Sequence, residues 1–240
     1  MVAIIPAAGK GTRMASVTGG APKELLRLGG KTVLQRIIEE AQACEPDAII
    51  VVSSPSKPQL SLAAMEFGAK VELQVRPAGL ADAIATAGVE DDAIVLFGDC
   101  VFSGGSPAAR LADLSRRGID GCIAVEPVDD EGTRHYGIVE VDEYTGGIQR
   151  ILEKPGPSAT DSRWAIAARF SCSVGMMSFV NAYVRRHAPW DGSELSMTPV
   201  FQYAISQGYD LKAVPLIPEQ QRVDCGSPDE YRSATWLNWD

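Results

Sequence analysis

A strand that runs straight into a glycine-rich loop constrains this chain more than any other feature. Val2-Ala3-Ile4-Ile5 is followed without a break by Pro6-Ala7-Ala8-Gly9-Lys10-Gly11-Thr12-Arg13-Met14. Small residues directly after a strand let backbone N–H groups approach phosphates, and Arg13 adds a fixed cation with forked donors. By itself such a loop fits either a nucleotide site or a tight β–α turn. It is not a Walker A loop, because no Gly-Lys-Ser/Thr follows. It also fails the dinucleotide fingerprint. Met14 stands at the third glycine position, and the second strand ends in Ser53-Ser54 without the acidic residue that would bind a ribose diol.

The rest of the chain repeats the opening pattern. Apolar strand-like runs at Val2 to Ile5, Ala48 to Val52 and Ala93 to Phe97 alternate with helical periodicity at Val33 to Ala43 and Leu60 to Phe67. That alternation predicts βαβ units feeding a buried parallel sheet. Ile138 to Asp142 and Ile148 to Glu153 flank the turn-rich Glu143-Tyr144-Thr145-Gly146-Gly147, which suits an antiparallel hairpin. Pro155-Gly156-Pro157-Ser158 opens a surface loop, and Ala165 to Phe179 reads as strand. Helical patterns resume at Phe179 to His187 and Thr198 to Gln207. The expected fold class is α/β, a Rossmann-like three-layer αβα sandwich with a mainly parallel central sheet and a small antiparallel hairpin. One domain over residues 1–240 is expected, with a nucleotide-facing half at 1–110 and a second half at 111–240 that closes the pocket.

Composition excludes several classes. A formal charge of −9 argues against broad binding to nucleic acid or to an anionic membrane, which need a cationic surface. A phosphate ligand would therefore need local donors and a divalent cation. Apolar runs fall short of the roughly 20 residues that cross a bilayer, and Val2 to Ile5 is preceded by no basic segment or cleavage site, so the expected location is cytoplasmic. Cys44, Cys100, Cys122, Cys172 and Cys225 are scattered and odd in number, which predicts buried thiols rather than a disulfide framework or zinc site.

After a spacer come Pro22-Lys23-Glu24-Leu25-Leu26-Arg27-Leu28, with Lys23 ten residues beyond Arg13. The paired motif, Ala-Ala-Gly-x-Gly-Thr-Arg followed by Pro-Lys, resembles the sugar-1-phosphate nucleotidyltransferase family that contains glucose-1-phosphate uridylyl- and thymidylyltransferases. The resemblance continues in order through Gln74 to Ala83, Leu96-Phe97-Gly98-Asp99, Tyr136 to Glu140, Glu153-Lys154-Pro155 and Asp224-Cys225-Gly226-Ser227-Pro228. It therefore covers almost the whole chain.

What it implies can be stated residue by residue. Ala7, Ala8, Gly9, Gly11, Thr12 and Arg13 would cradle the nucleotide phosphates, and Gln74 and Gly79 would meet the base, the amide as paired donor and acceptor. Gly137, Glu153, Lys154 and Gly175 would face the sugar. Arg13, Lys23, Asp99 and Lys154 would act in catalysis, and Asp99 and Asp224 would jointly hold Mg²⁺. The substrates implied are a nucleoside triphosphate, UTP or dTTP by preference, and a hexose 1-phosphate such as glucose 1-phosphate. Nucleic acid and membrane are not expected partners, and the resemblance leaves room for a homo-oligomer. A cytidylyl- or guanylyltransferase acting on another phosphorylated alcohol shares the N-terminal motif, and a non-catalytic sensing subunit would keep the scaffold. Thr198 reads as a helix N-cap with Pro199 at the first position, His135 as a solvated side chain, and Trp164, Trp190, Trp236 and Trp239 as packing or interface residues. Cys100 stands where asparagine often follows the metal aspartate, and Gly19-Gly20-Ala21 replaces a bulkier stretch before Pro22.

Overall fold

The computed structural model of the chain describes residues 1–187, 193–237 and 239. Its strands are β1 (Val2–Pro6), β2 (Arg27–Leu28), β3 (Lys31–Thr32), β4 (Ala48–Ser53), β5 (Lys70–Leu73), β6 (Ala93–Leu96), β7 (Cys100–Ser103), β8 (Gly121–Pro127), β9 (Gly137–Val141), β10 (Ile148–Glu153), β11 (Trp164–Cys172), β12 (Leu211–Pro215) and β13 (Gln221–Asp224). Its helices are α1 (Ala15–Thr18), α2 (Val33–Gln42), α3 (Pro58–Glu66), α4 (Leu80–Thr86), α5 (Ala108–Ser115), α6 (Val174–His187), α7 (Met197–Ser206) and α8 (Pro228–Ala234).

One nine-stranded sheet organises the molecule, in the order β10-β9-β11-β6-β1-β4-β5, with β8 paired to β11 and β12. β6, β1, β4 and β5 run parallel, as βαβ units require. β1 and β6 have both faces buried and are apolar throughout, whereas the edge strand β5 exposes Lys70 and Glu72. Ala3, Ile5, Ile94 and Leu96 enter one core with Leu34, Ile37, Leu60 and Leu111. Ile4, Ala93 and Val95 enter the other with Ile84, Phe170, Val180 and Phe201. Strand residues that alternate between two cores, each closed by helices, make the three-layer αβα sandwich.

Local chemistry fixes the helix starts. Thr32 caps α2, its Oγ1 accepting from the N–H of Gln35 at 3.1 Å, and Leu34, Ile37, Ile38 and Ala41 then form the buried stripe. Ser227 caps α8 in a Ser-x-x-Glu box with Glu230, followed by Pro228 in the first turn. The expected hairpin is β9–β10, whose turn is held by Asp142 Oδ1 accepting from the N–H groups of Tyr144 and Thr145.

Three expectations change. The antiparallel part of the sheet is larger than the hairpin, because β11 pairs antiparallel with β6, β8 and β9. The strand expected to reach Phe179 stops at Cys172: Ser173 Oγ accepts from the Met176 N–H, and Asp92 accepts from that of Val174, so the helix begins there. Apolar residues on both strand and helix made the two indistinguishable by periodicity. Thr198 is not an N-cap. α7 begins at Met197 behind Ser196, and Pro199 lies two positions further into the helix than expected.

All five cysteines are buried and unpaired. His135 is exposed beside Glu131 at 3.0 Å, as a solvated histidine should be. Trp239 packs on the Arg36 guanidinium, 4.8 Å from its centre, and Trp236 is almost fully exposed. Trp190 lies outside the described residues. Among the described residues no helix is long and apolar enough to cross a membrane.

Candidate active site

The carboxyl ends of β1 and β6 open onto a cavity of about 440 Å³. Ligands of open α/β sheets sit at such strand ends. Every residue expected to face the nucleotide lines it: Ala7, Ala8, Gly9, Gly11, Thr12 and Arg13 from the first loop, and Gln74 and Gly79 from the segment after β5. Lys23 and Asp99 line it too. Gly98 permits this arrangement, because a Cβ there would lie 2.7 Å from the Pro6 carbonyl oxygen and 2.8 Å from the Ala7 Cβ. The ends of β1 and β6 can thus touch.

Gly79 must be a glycine because of the backbone around it. Its φ is 98°, and a Cβ would lie 2.5 Å from the Leu195 nitrogen. The segment before α7 crosses it there, with the Leu195 N–H donating to the Ala78 carbonyl at 2.8 Å and the Ala81 N–H to that of Leu195 at 3.0 Å. Backbone packing excludes a side chain there. Gln74 differs from expectation: its Nε2 donates to the Gly79 carbonyl at 3.0 Å and to Asp82 Oδ2 at 2.7 Å. Both amide hydrogens are used, leaving Oε1, an acceptor only.

The two candidate metal aspartates meet through a small sheet. β7 pairs antiparallel with β13, placing Asp224 opposite Cys100, and the Cys225 N–H donates to the Asp99 carbonyl at 2.8 Å. Lys23 Nζ donates to Asp99 Oδ2 at 2.6 Å. Burial pushes the Asp99 carboxyl up, but the Lys23 ammonium outweighs it and holds the group below the usual carboxylate range. Asp224 goes the other way. Burial and the charge of Asp99 push it up to about 6, against the Gly226 N–H and the Arg222 guanidinium. The two carboxylates therefore feel one another's charge.

A second cavity, of about 200 Å³, adjoins the first and shares Leu80, Phe97 and Asp99 with it. Gly137 from β9, Glu153 from β10 and Lys154 line it, together with Asp224. Lys154 is more than half exposed, with its Nζ 3.8 Å from Glu153 Oε1. Gly175 is absent from this lining. It sits exposed in the first turn of α6, at the end of β11 where Cys172 pairs with Ala93, the start of β6 and the far edge from Asp99. The residues of that strand that do line the cavity are Ile166, Ala168 and Phe170, and Ala168 stands at the irregularity in the β11–β8 register with a left-handed φ of 56°.

The model of one protein family, described as nucleotidyl transferase, matches residues 2–237. The chain belongs to the nucleotidyl transferase family. Among its relatives is a UTP–glucose-1-phosphate uridylyltransferase of Bacillus subtilis, 30% identical over an alignment of 235 residues, gaps included, that covers 83% of this chain and 78% of that protein. Solved structures of a UDP-glucose pyrophosphorylase complexed with UDP-glucose (21% identity, TM-score 0.82, 98% of this chain and 96% of the other) and of a UTP-bound UGPase from Acinetobacter baumannii (23%, 0.80, 98% and 91%) share its fold.

Sequence reasoning missed several side chains in this nucleotidyltransferase. Arg222 lines the second cavity, nearly buried, its guanidinium 4.4 Å from the centre of the Tyr136 ring, paired with Glu126 and 3.8 Å from Asp224. Its place two residues before Asp224 in a strand was the available signal. Thr198 Oγ1 donates to Glu153 Oε2, a bond between distant elements that no local pattern announces. Lys57 Nζ donates to the Ala7 carbonyl and to Glu24 Oε1, both at 2.8 Å, and both side chains are buried.

Proposed function

We propose that this nucleotidyltransferase transfers a nucleoside monophosphate from UTP or dTTP to a hexose 1-phosphate such as glucose 1-phosphate, with release of pyrophosphate. The observation that carries the proposal is the shared wall. Asp99 lines both cavities, so two phosphate-bearing ligands occupying them would meet at one carboxylate. The names of the relatives support the same substrates.

A phosphate oxygen of the sugar 1-phosphate attacks the α-phosphorus of the triphosphate in line, and the bond to the pyrophosphate oxygen breaks. The second pKa of a phosphate monoester is about 6, so the nucleophile is already ionised at neutral pH and no general base is needed. The protein's work is alignment and charge neutralisation. The loop from Ala7 to Thr12 receives the phosphates, Arg13 the departing pyrophosphate, Lys23 the α-phosphate and Lys154 the incoming phosphate. Lys23 Nζ carries three N–H donors, so it can reach the nucleotide while bonded to Asp99.

Two hard carboxylate oxygens suit Mg²⁺, and the mutual charge that raises Asp224 is what a divalent cation would relieve. Among the described residues no group of three or more acidic, histidine or cysteine side chains is assembled for a metal. Phosphate oxygens and water would complete the shell, as Mg²⁺ ordinarily requires. Asp99 and Asp224 would hold the ion, which when bound supplies positive charge to the phosphate oxygens. Glu153 would accept from sugar hydroxyls beside Gly137. The halves 1–110 and 111–240 would serve nucleotide and sugar, with Asp99 between them.

A matrix of five triphosphates against several sugar 1-phosphates, scored by pyrophosphate release with Mg²⁺, tests this. Turnover with UTP or dTTP and a hexose 1-phosphate is expected. Inactivity across the whole matrix would favour a sensing subunit.

A further inference from the structure

Gln74 is nearly buried at the wall of the nucleotide cavity, and its amide has a fixed polarity. The Gly79 carbonyl at 3.0 Å and the Asp82 carboxylate at 2.7 Å are acceptors without a hydrogen to give. Turning the amide over would set its oxygen against both of them. Nε2 must therefore point at this pair, and Oε1 is the atom left for a ligand. The carbonyl of Gly79 is itself fixed, because the Ala83 N–H donates to it at 3.1 Å in the first turn of α4 and Leu195 crosses the glycine. Asp82 is the second anchor, and without it one amide hydrogen would lose its partner.

We infer that Asp82 is a positioning residue that locks the Gln74 amide as an acceptor, so that the cavity favours bases whose ring edge carries an N–H over bases whose ring nitrogen accepts. Uracil and thymine offer N3–H, and guanine offers N1–H. Cytosine and adenine present a lone pair at the corresponding place, and two acceptors facing each other would leave Oε1 unpaired. The inference rests on the nucleotide cavity holding the base of a triphosphate at Gln74, as proposed above, and narrows the base class from the chain's own hydrogen bonds.

Calorimetric titration of the full chain with UTP, CTP and ATP in the presence of Mg²⁺ tests it without requiring turnover. Wild type should bind UTP at least about tenfold more tightly than CTP or ATP, the scale of one unpaired buried acceptor. Asp82→Ala should lower the UTP-to-CTP ratio at least about fivefold, because the Gly79 carbonyl alone then opposes the turned amide. Asp82→Asn, whose Oδ1 accepts from Nε2 but whose Nδ2 can meet the oxygen of a turned Gln74, should give a ratio between those of wild type and Asp82→Ala. A wild-type preference for CTP or ATP overturns the inference even if the variants do not fold, and an unchanged ratio in folded Asp82→Ala overturns the role of Asp82. UTP binding without turnover of any sugar 1-phosphate removes the proposed function and leaves the base preference standing. Failure to bind any triphosphate overturns both.

Discussion

The two cavities are built by different means. The nucleotide cavity is walled largely by one uninterrupted stretch, Pro6 to Arg13, at the end of a parallel strand, whereas the smaller cavity collects side chains from β9, β10, β11, β13 and α7. The first presents backbone and a few cations, a surface suited to phosphates that every triphosphate carries. The second presents individual side chains held by one another, Thr198 on Glu153 and Glu126 on Arg222. Generic charge recognition needs only a loop at a helix or strand end. Distinguishing one sugar from another needs separately placed polar groups.

The comparison breaks most severely at the residue both cavities share. Asp99→Ala should reduce turnover by on the order of 10³-fold, because it removes a carboxylate from the point where charge moves during the transfer. A melting scan should show the variant folded, since Asp99 is partly exposed and follows a strand rather than lying within one. Near-normal pyrophosphate release from folded Asp99→Ala would remove Asp99 from the chemistry, and with it the claim that the two cavities meet there.

The same contrast explains what was legible in the sequence. The stretch Pro6 to Arg13 of the larger cavity is continuous along the chain, an order of small and cationic residues that local physics can read as a phosphate loop or a tight turn. Of the residues expected to face the sugar, Gly137, Glu153 and Lys154 are at the second cavity and Gly175 is not. Gly175 was assigned by resemblance alone, and Ser173 starts a helix there whose first turn holds the glycine away from the cavity. Ala168 carried no signal, because nothing in an alanine between Ala167 and Arg169 announces a left-handed backbone. Arg169 shows the same limit in the core. It is fully buried yet satisfied by Glu40 and by the carbonyls of Ala168 and Cys100, partners far apart in the chain. The centre of the sheet was readable because β1 and β6 are buried on both faces and apolar without interruption. Asp99 and Asp224 came together only through the β7–β13 pairing, which the composition of those short strands does not specify.

A second test asks whether the nucleotide cavity is as independent of side chains as its backbone lining suggests. Beneath the loop, Lys57 joins Ala7 to Glu24, the neighbour of Lys23. Burial pushes the Glu24 carboxyl up and Lys57 pulls it back, the balance of a desolvated pair. Lys57→Met should cost roughly 3 kcal/mol by leaving Glu24 buried and unpaired. In a chain of this length that is a fall of about 6–12 °C in melting temperature. Glu24→Met combined with Lys57→Met should recover most of it, because an apolar pair of similar volume has no ion to desolvate. A double variant melting as low as Lys57→Met alone would mean that the Ala7 carbonyl, not the ion pair, is what Lys57 secures.

The smallest effect should come from the sugar side, and it sharpens the distinction between the cavities. Thr198→Val keeps the shape of the side chain and removes only the hydroxyl that donates to Glu153. Glu153 is about two-fifths exposed, so water replaces part of what is lost. A cost of about 1 kcal/mol is expected, some fivefold in kcat/KM for the sugar 1-phosphate. The KM for the triphosphate should not move, because Thr198 lines the second cavity alone. Equal losses for both substrates would show that the wall at Leu80, Phe97 and Asp99 transmits the change, and that the two cavities act as one site rather than as neighbours.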